Sequence, residues 1–133
     1  REYVQRLGRA YSTLDPAGPK HLPRPVQIET ISGGARSFTD GTETVELHDI
    51  GPTPHVNEML VAWLPVEGIL FQGDLLNLPP NSAILPGGST ETMGYFASWV
   101  HRQGWSVRVL AGVHMTPGSM TELDAALDAA QRP

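Results

Sequence analysis

The chain has 133 residues, 40% hydrophobic and 17% charged, with a formal net charge of −5, which is the length and balance of one ordinary folded domain. No run of lysine or arginine occurs, and without clustered positive charge a phosphate-tracking surface is not available, which argues against nucleic-acid binding. Cysteine is absent, so disulfides, thiolate zinc clusters and cysteine nucleophiles are all removed together.

The first residue is Arg1 rather than methionine, and no signal-like segment precedes the first motif, so the start reads as a cut. Residues 2–13, EYVQRLGRAYST, place Leu7, Ala10 and Tyr11 at helical spacing and predict a short amphipathic helix. A Pro-rich connector, LDPAGPKHLPRP, follows. VQIETI (26–31) alternates like a strand, SGGARSFTDG reads as a turn-rich excursion, and ETVELHDI (43–50) alternates again. In that strand Val45 and Leu47 share one side while Glu46, His48 and Ile50 share the other, which is read as the outward one.

VNEMLVAWLP (56–65) is apolar on both sides of the strand, with Met59, Val61 and Trp63 opposite Leu60, Ala62 and Leu64. Such a strand is covered on both faces and belongs in the middle of a layered sheet. GILFQGD (68–74) is its expected hairpin partner across the turn PVEG, with Leu64 pairing near Ile69. Pro65, Glu67 and Gly68 interrupt this apolar stretch, so it does not span a membrane. From about Thr90 to Gln103, Met93, Phe96, Ala97 and Val100 fall at i, i+3, i+4 and i+7, the stripe a helix lays on a sheet. SVRVLAGVH (106–114) reads as another buried strand. A last helix opens at Ser119, with Glu122 three positions on as a capping box.

Three polar residues stand at the ends of these apolar strands: His55 before the hairpin, Asp74 after it and His114 after the later strand. If the strand 106–114 runs parallel to 68–74, Asp74 and His114 leave the sheet on one rim. His55 is offset along the ladder by ~13 Å on a straight strand, a gap that the bend at Pro52 and Pro54 must close. Two imidazoles and a carboxylate converging there form a donor set suited to zinc. Taken singly, each has a plainer explanation, since a histidine before a strand is commonly a solvated loop residue and Gly-Asp after one is commonly a turn. Their shared position at strand ends carries the metal reading. His21 and His101 lack such a context and read as surface residues; His48 and Asp49 are second-rank candidates. SGGARS lacks the lysine and helix start of a phosphate loop. Trp63, Trp99 and Trp105 read as packing residues, because no basic groove accompanies them.

GPTPHVNEMLVAWLPVEGILFQGDLL, followed by LAGVHMTPG, resembles the C-terminal half of the metallo-β-lactamase fold over roughly residues 43 to 125. The resemblance implies an α/β architecture, half of an αββα sandwich: one mixed sheet of about five strands with helices on one face, as a single domain over 1–133. It implies that His55 stands where the third histidine of the first zinc site stands, Asp74 where the bridging carboxylate stands, and His114 where the last histidine, which binds the second zinc, stands. The implied activity is zinc-dependent hydrolysis, with metal-bound hydroxide acting on an ester, amide, thioester or phosphoester substrate. The family's leading signature, His-x-His-x-Asp-His, belongs to the other half, and no two of the five histidines here are two apart.

Two expectations follow. Two histidines and one aspartate do not complete two metal sites, so up to two zinc ions belong to the whole fold, and this chain alone binds metal weakly or not at all and is inactive. The sheet face turned away from the helices needs a cover, either the other half of the fold or a second copy of this chain in a two-fold dimer. A rival of another class is a non-catalytic assembly module that uses that face for a partner. A third is a one-domain enzyme of unrelated mechanism built on His48, Asp49 and His55.

Overall fold

A computed structural model describes residues 29–77 and 90–131. The chain divides into two compact units, Arg1–Thr30 and Ile31–Pro133, and the second carries the fold described here. The expected helix at 2–13, the connector after it and His21 lie outside the described residues, as does the first half of the expected strand 26–31. Residues 29–31 are not strand.

Five strands form one sheet in sequence order: β1 (Ala35–Thr39), β2 (Thr44–Asp49), β3 (Leu60–Leu64), β4 (Ile69–Gln72) and β5 (Val109–Gly112). The first three pairings are antiparallel and the β4–β5 pairing is parallel. The strand that precedes β2 is therefore 35–39, inside the stretch expected to be a turn-rich excursion. Gly33, with φ 64°, and Gly41, with φ 93°, bound it. β3 is central, as its two apolar sides require, and Leu64 pairs with Ile69 as the hairpin turn predicts.

The turn at 65–68 closes with the Gly68 N–H donating to the Leu64 carbonyl at 2.8 Å. Gly68 is a glycine for two reasons. Its φ is +66°, and a Cβ there would lie 2.8 Å from Arg108 Nε and 2.9 Å from the Ser106 carbonyl oxygen. The Gly68 carbonyl accepts from the N–H groups of Arg108 and Val109 at 2.7 and 3.1 Å, and the Arg108 guanidinium donates to the Val66 carbonyl. The hairpin turn thus seeds β5 beside β4. The far edge of β5 is occupied through Leu110, which exchanges N–H and carbonyl bonds with Gly118 at 2.8 and 2.9 Å.

Residues paired across neighbouring strands share a sheet face. One row runs Ser37, Glu46, Trp63, Leu70, Leu110, and this face receives the helices. α1 (Thr90–Gln103) buries Met93, Phe96, Ala97 and Val100, the stripe read from its spacing. α2 (Met120–Gln131) buries Leu123, Ala126 and Leu127. Its N-terminus is a capping box: the Glu122 N–H donates to Ser119 Oγ at 3.2 Å and the Ser119 N–H to Glu122 Oε2 at 2.7 Å. Phe96, Leu70, Leu110 and Leu123 are fully enclosed. Trp105 lies flat on Trp63, with ring centroids 4.8 Å apart, and meets Trp99 edge-on, so the tryptophans pack the core as expected.

The other face carries the row Arg36, Leu47, Ala62, Phe71, Ala111, flanked by Leu64, Ile69 and Val109. Phe38, Leu60 and Phe71 on it are 46%, 43% and 43% exposed. Among the described residues no helix is long and apolar enough to cross a membrane.

Candidate functional site

The parallel register Gln72↔Gly112 puts the positions two beyond each strand end, 74 and 114, side by side on the carboxyl rim. The His114 imidazole Nε2 and Asp74 Oδ1 lie 3.0 Å apart, with both side chains open to solvent. β4 delivers Asp74 through Gly73, whose Cα faces Met59: a Cβ there would sit 3.7 Å from Met59 Sδ. Leu75 and Leu76 follow at once and are buried, so the loop turns back into the core and leaves the carboxylate at its outer bend.

Beneath the pair sits Gln72, the last residue of β4, with no exposed surface. Its Oε1 accepts from the N–H groups of Leu75 and Leu76 at 2.7 and 3.1 Å. Its Nε2 donates to the Leu76 carbonyl at 3.0 Å and lies 3.5 Å from the Met115 sulfur. Every polar atom of this buried amide is satisfied, as its environment requires. Gln72 is not among the residues singled out by strand-end position; its signal is a glutamine at an inward position of an otherwise apolar strand.

His55 stands on the loop between β2 and β3 and is exposed. Thr53 shapes that loop: its Oγ1 accepts from the N–H groups of His55 and Val56 at 3.2 and 2.9 Å and donates to the Val56 carbonyl at 3.0 Å. The loop base is tied by the Ile50 N–H to the Met59 carbonyl and by the Tyr95 hydroxyl to the Ile50 carbonyl. Among the described residues no three His, Cys, Asp or Glu side chains are close enough together to hold a metal ion. The structure thus joins Asp74 with His114 and does not gather His55 with them. Zinc takes three or four protein donors, and two exposed ones do not fit a resident ion without donors from elsewhere.

The second-rank residues do other work. Asp49 is a backbone clamp, its two oxygens accepting the N–H groups of Gly33 at 2.8 Å and Gly51 at 2.9 Å. These bonds, Gly33 first, lower its pKa below the usual carboxylate value. His48 does not face outward. It lies on the helix-covered face, its Nε2 2.9 Å from Glu46 Oε2 and its ring edge-on to Trp105 at 4.7 Å. Alternation separates the two sides of β2 but does not say which one the helices cover. His101 is a surface residue, as read, paired with Asp124 at 3.0 Å.

The fold is shared with solved metallo-β-lactamases. A metallo-β-lactamase from Pontibacter korlensis superposes with a TM-score of 0.55 at 21% identity, over 99% of this chain and 62% of that one. DIM-1 metallo-β-lactamase gives 0.54 at 20%, over 77% and 49%. The stereoselective inverting sec-alkylsulfatase Pisa1 from Pseudomonas sp. gives 0.51 at 18%, over 74% and 17%. No protein-family profile and no curated protein matches the chain. The chain has part of the metallo-β-lactamase fold, spanning less than two thirds of the length of these solved relatives.

Proposed function

We propose that this chain is the C-terminal half of a metal-dependent hydrolase acting on an ester, amide, thioester or phosphoester. It contributes Asp74 and His114 to a zinc centre completed from another segment, with His55 as a further donor that its loop must bring to the rim. The observation that carries this reading is the Asp74–His114 contact at the carboxyl rim of two parallel strands. His101 and Asp124 make a surface contact of the same length, so what sets Asp74 and His114 apart is their place at the carboxyl ends of two neighbouring parallel strands, where both remain accessible to further donors. By itself the chain binds metal weakly and is inactive, because the donors it brings are too few.

The apolar row through Leu47, Ala62 and Phe71 supports a second reading alongside the first: the open sheet face is an assembly surface, taken by the other half of the fold or by a second copy of the chain.

Zinc titration separates the two. The chain is titrated alone and then mixed with a polypeptide carrying the His-x-His-x-Asp-His half of the fold. Tighter zinc binding by the mixture, by at least about tenfold, with the gain lost in Asp74→Ala, supports the hydrolase reading. Equal zinc affinity with and without the added half sinks it and leaves the assembly surface.

A further inference from the structure

We propose that Gln72 is the positioning residue of the rim: its buried amide joins the loop carrying Asp74 to the loop carrying His114, and this joint sets their meeting. The inference rests on the reading of Asp74 and His114 as the functional pair.

An amide placed in a core is costly unless each of its polar atoms finds a partner. Here the partners are the backbone of the residues next to Asp74 and the side chain next to His114. Oε1 holds two N–H groups of the 75–76 turn, and Nε2 holds the Leu76 carbonyl while touching Met115. A leucine would fill the same volume but could not fix the path of the chain from Gly73 to Leu76, on which the direction of the Asp74 carboxylate depends.

The opposite strand is cut to accept this amide. A Cβ on Gly112 would lie 2.1 Å from Gln72 Nε2 and 3.1 Å from Met115 Cγ. Position 112 directly faces Gln72 in the parallel register and lies two before His114. The glycine gives the amide its room, and the amide in turn reaches the loop that begins beyond that glycine. Gln72 and Gly112 therefore act as one unit.

The test uses the full chain, ¹⁵N-labelled, at one fixed pH. Asp74→Ala, which removes the accepting oxygen, records the imidazole ¹⁵N spectrum of His114 when the contact is broken. Gln72→Leu is expected to move the His114 signals toward that spectrum and to lower amide-exchange protection at Leu75 and Leu76 by about tenfold or more. The His101 signals should hold still as an internal control. An unchanged His114 spectrum in a folded Gln72→Leu protein overturns the proposal. If Gln72→Leu does not fold, Gln72→Ala combined with Gly112→Ala places a methyl in the vacated space. Restored thermal stability with His114 still displaced supports positioning; recovery of both means that Gln72 is packing only. In the unsubstituted chain, Leu75 and Leu76 amides exchanging at the rate of an unprotected amide would also overturn it. Absent zinc binding with this response intact would count against the hydrolase reading alone.

Discussion

Asp74 and His114 touch at 3.0 Å, yet their side chains are 53% and 65% exposed. A contact so open to water adds little to folding, about 0–1 kcal/mol for an exposed pair. Asp74→Asn and His114→Ala should therefore leave the unfolding midpoint nearly unmoved. Phe96→Ala, which empties a fully enclosed site in α1, should cost about 3–5 kcal/mol. Denaturant melts of the three variants decide the point, and a rim substitution that destabilises as much as Phe96→Ala would mark the pair as structural.

Two carboxylates should respond to pH with opposite signs. Asp49 has its pKa lowered by the Gly33 and Gly51 N–H groups, so its contribution is present above the unfolded value near 3.8 and is lost as pH falls through the folded one. Glu43 has its pKa raised from 4.5 by a side-chain hydrogen bond to Glu67 and by repulsion from it. Its favourable state is therefore complete below about 4.5 and fades as pH rises through the folded value. Near pH 7, Glu43→Gln should raise the melting temperature and Asp49→Asn should lower it. Both differences should shrink toward pH 3. Thermal melts from pH 3 to pH 8 check the signs, and a stabilising effect of Glu43→Gln that grew in acid would contradict the raised pKa of Glu43.

Gly68 and Gly33 both have left-handed backbones, with φ of +66° and +64°, but only Gly68 is crowded. Gly33→Ala should cost the backbone strain alone, about 1 kcal/mol. Gly68→Ala adds overlap with Arg108 and the Ser106 carbonyl and should cost about 2 kcal/mol or more. Urea unfolding of the two variants measures the difference, and equal costs would show that the hairpin turn and the start of β5 yield freely.

Much of this architecture can be read from the sequence where one physical signal dominates. The stripe Met93, Phe96, Ala97, Val100 specifies α1 because a helix has only one way to bury those four. Ser119 and Glu122 specify the start of α2 through reciprocal bonds, and Leu64 and Ile69 set the hairpin register through a short turn. β1 is hidden because Gly33, Gly34, Asp40 and Gly41 bracket it and its one large apolar residue, Phe38, is on the open face. It is a strand because β2 offers it a partner. The covered side of His48 depends on Trp105, which reaches it from beyond α1, and periodicity within a strand carries no such information. The rim is legible in half: parallel strands of matched length place Asp74 beside His114, whereas His55 depends on a loop path around Pro52 and Pro54 that strand pairing does not set.

The sheet face opposite the helices makes the last prediction. Leu47, Ala62, Phe71 and Ala111 lie in one line across four strands, with Leu64, Ile69 and Val109 beside them, and a contiguous apolar surface of this kind drives association. Sedimentation of the chain should show a dimer whose fraction grows with concentration. Phe71→Glu puts a charge in the middle of the line at a side chain already 43% exposed, so folding should survive while burial against a second sheet becomes costly. The variant should sediment as a monomer at concentrations where the unsubstituted chain is dimeric, with an unchanged circular dichroism spectrum. Val66→Glu, on the turn beyond this row, serves as a control for added negative charge and should leave the dimer intact. If the unsubstituted chain stays monomeric at about 100 μM, where a dimer held with micromolar affinity would be mostly formed, a second copy is not what covers the face.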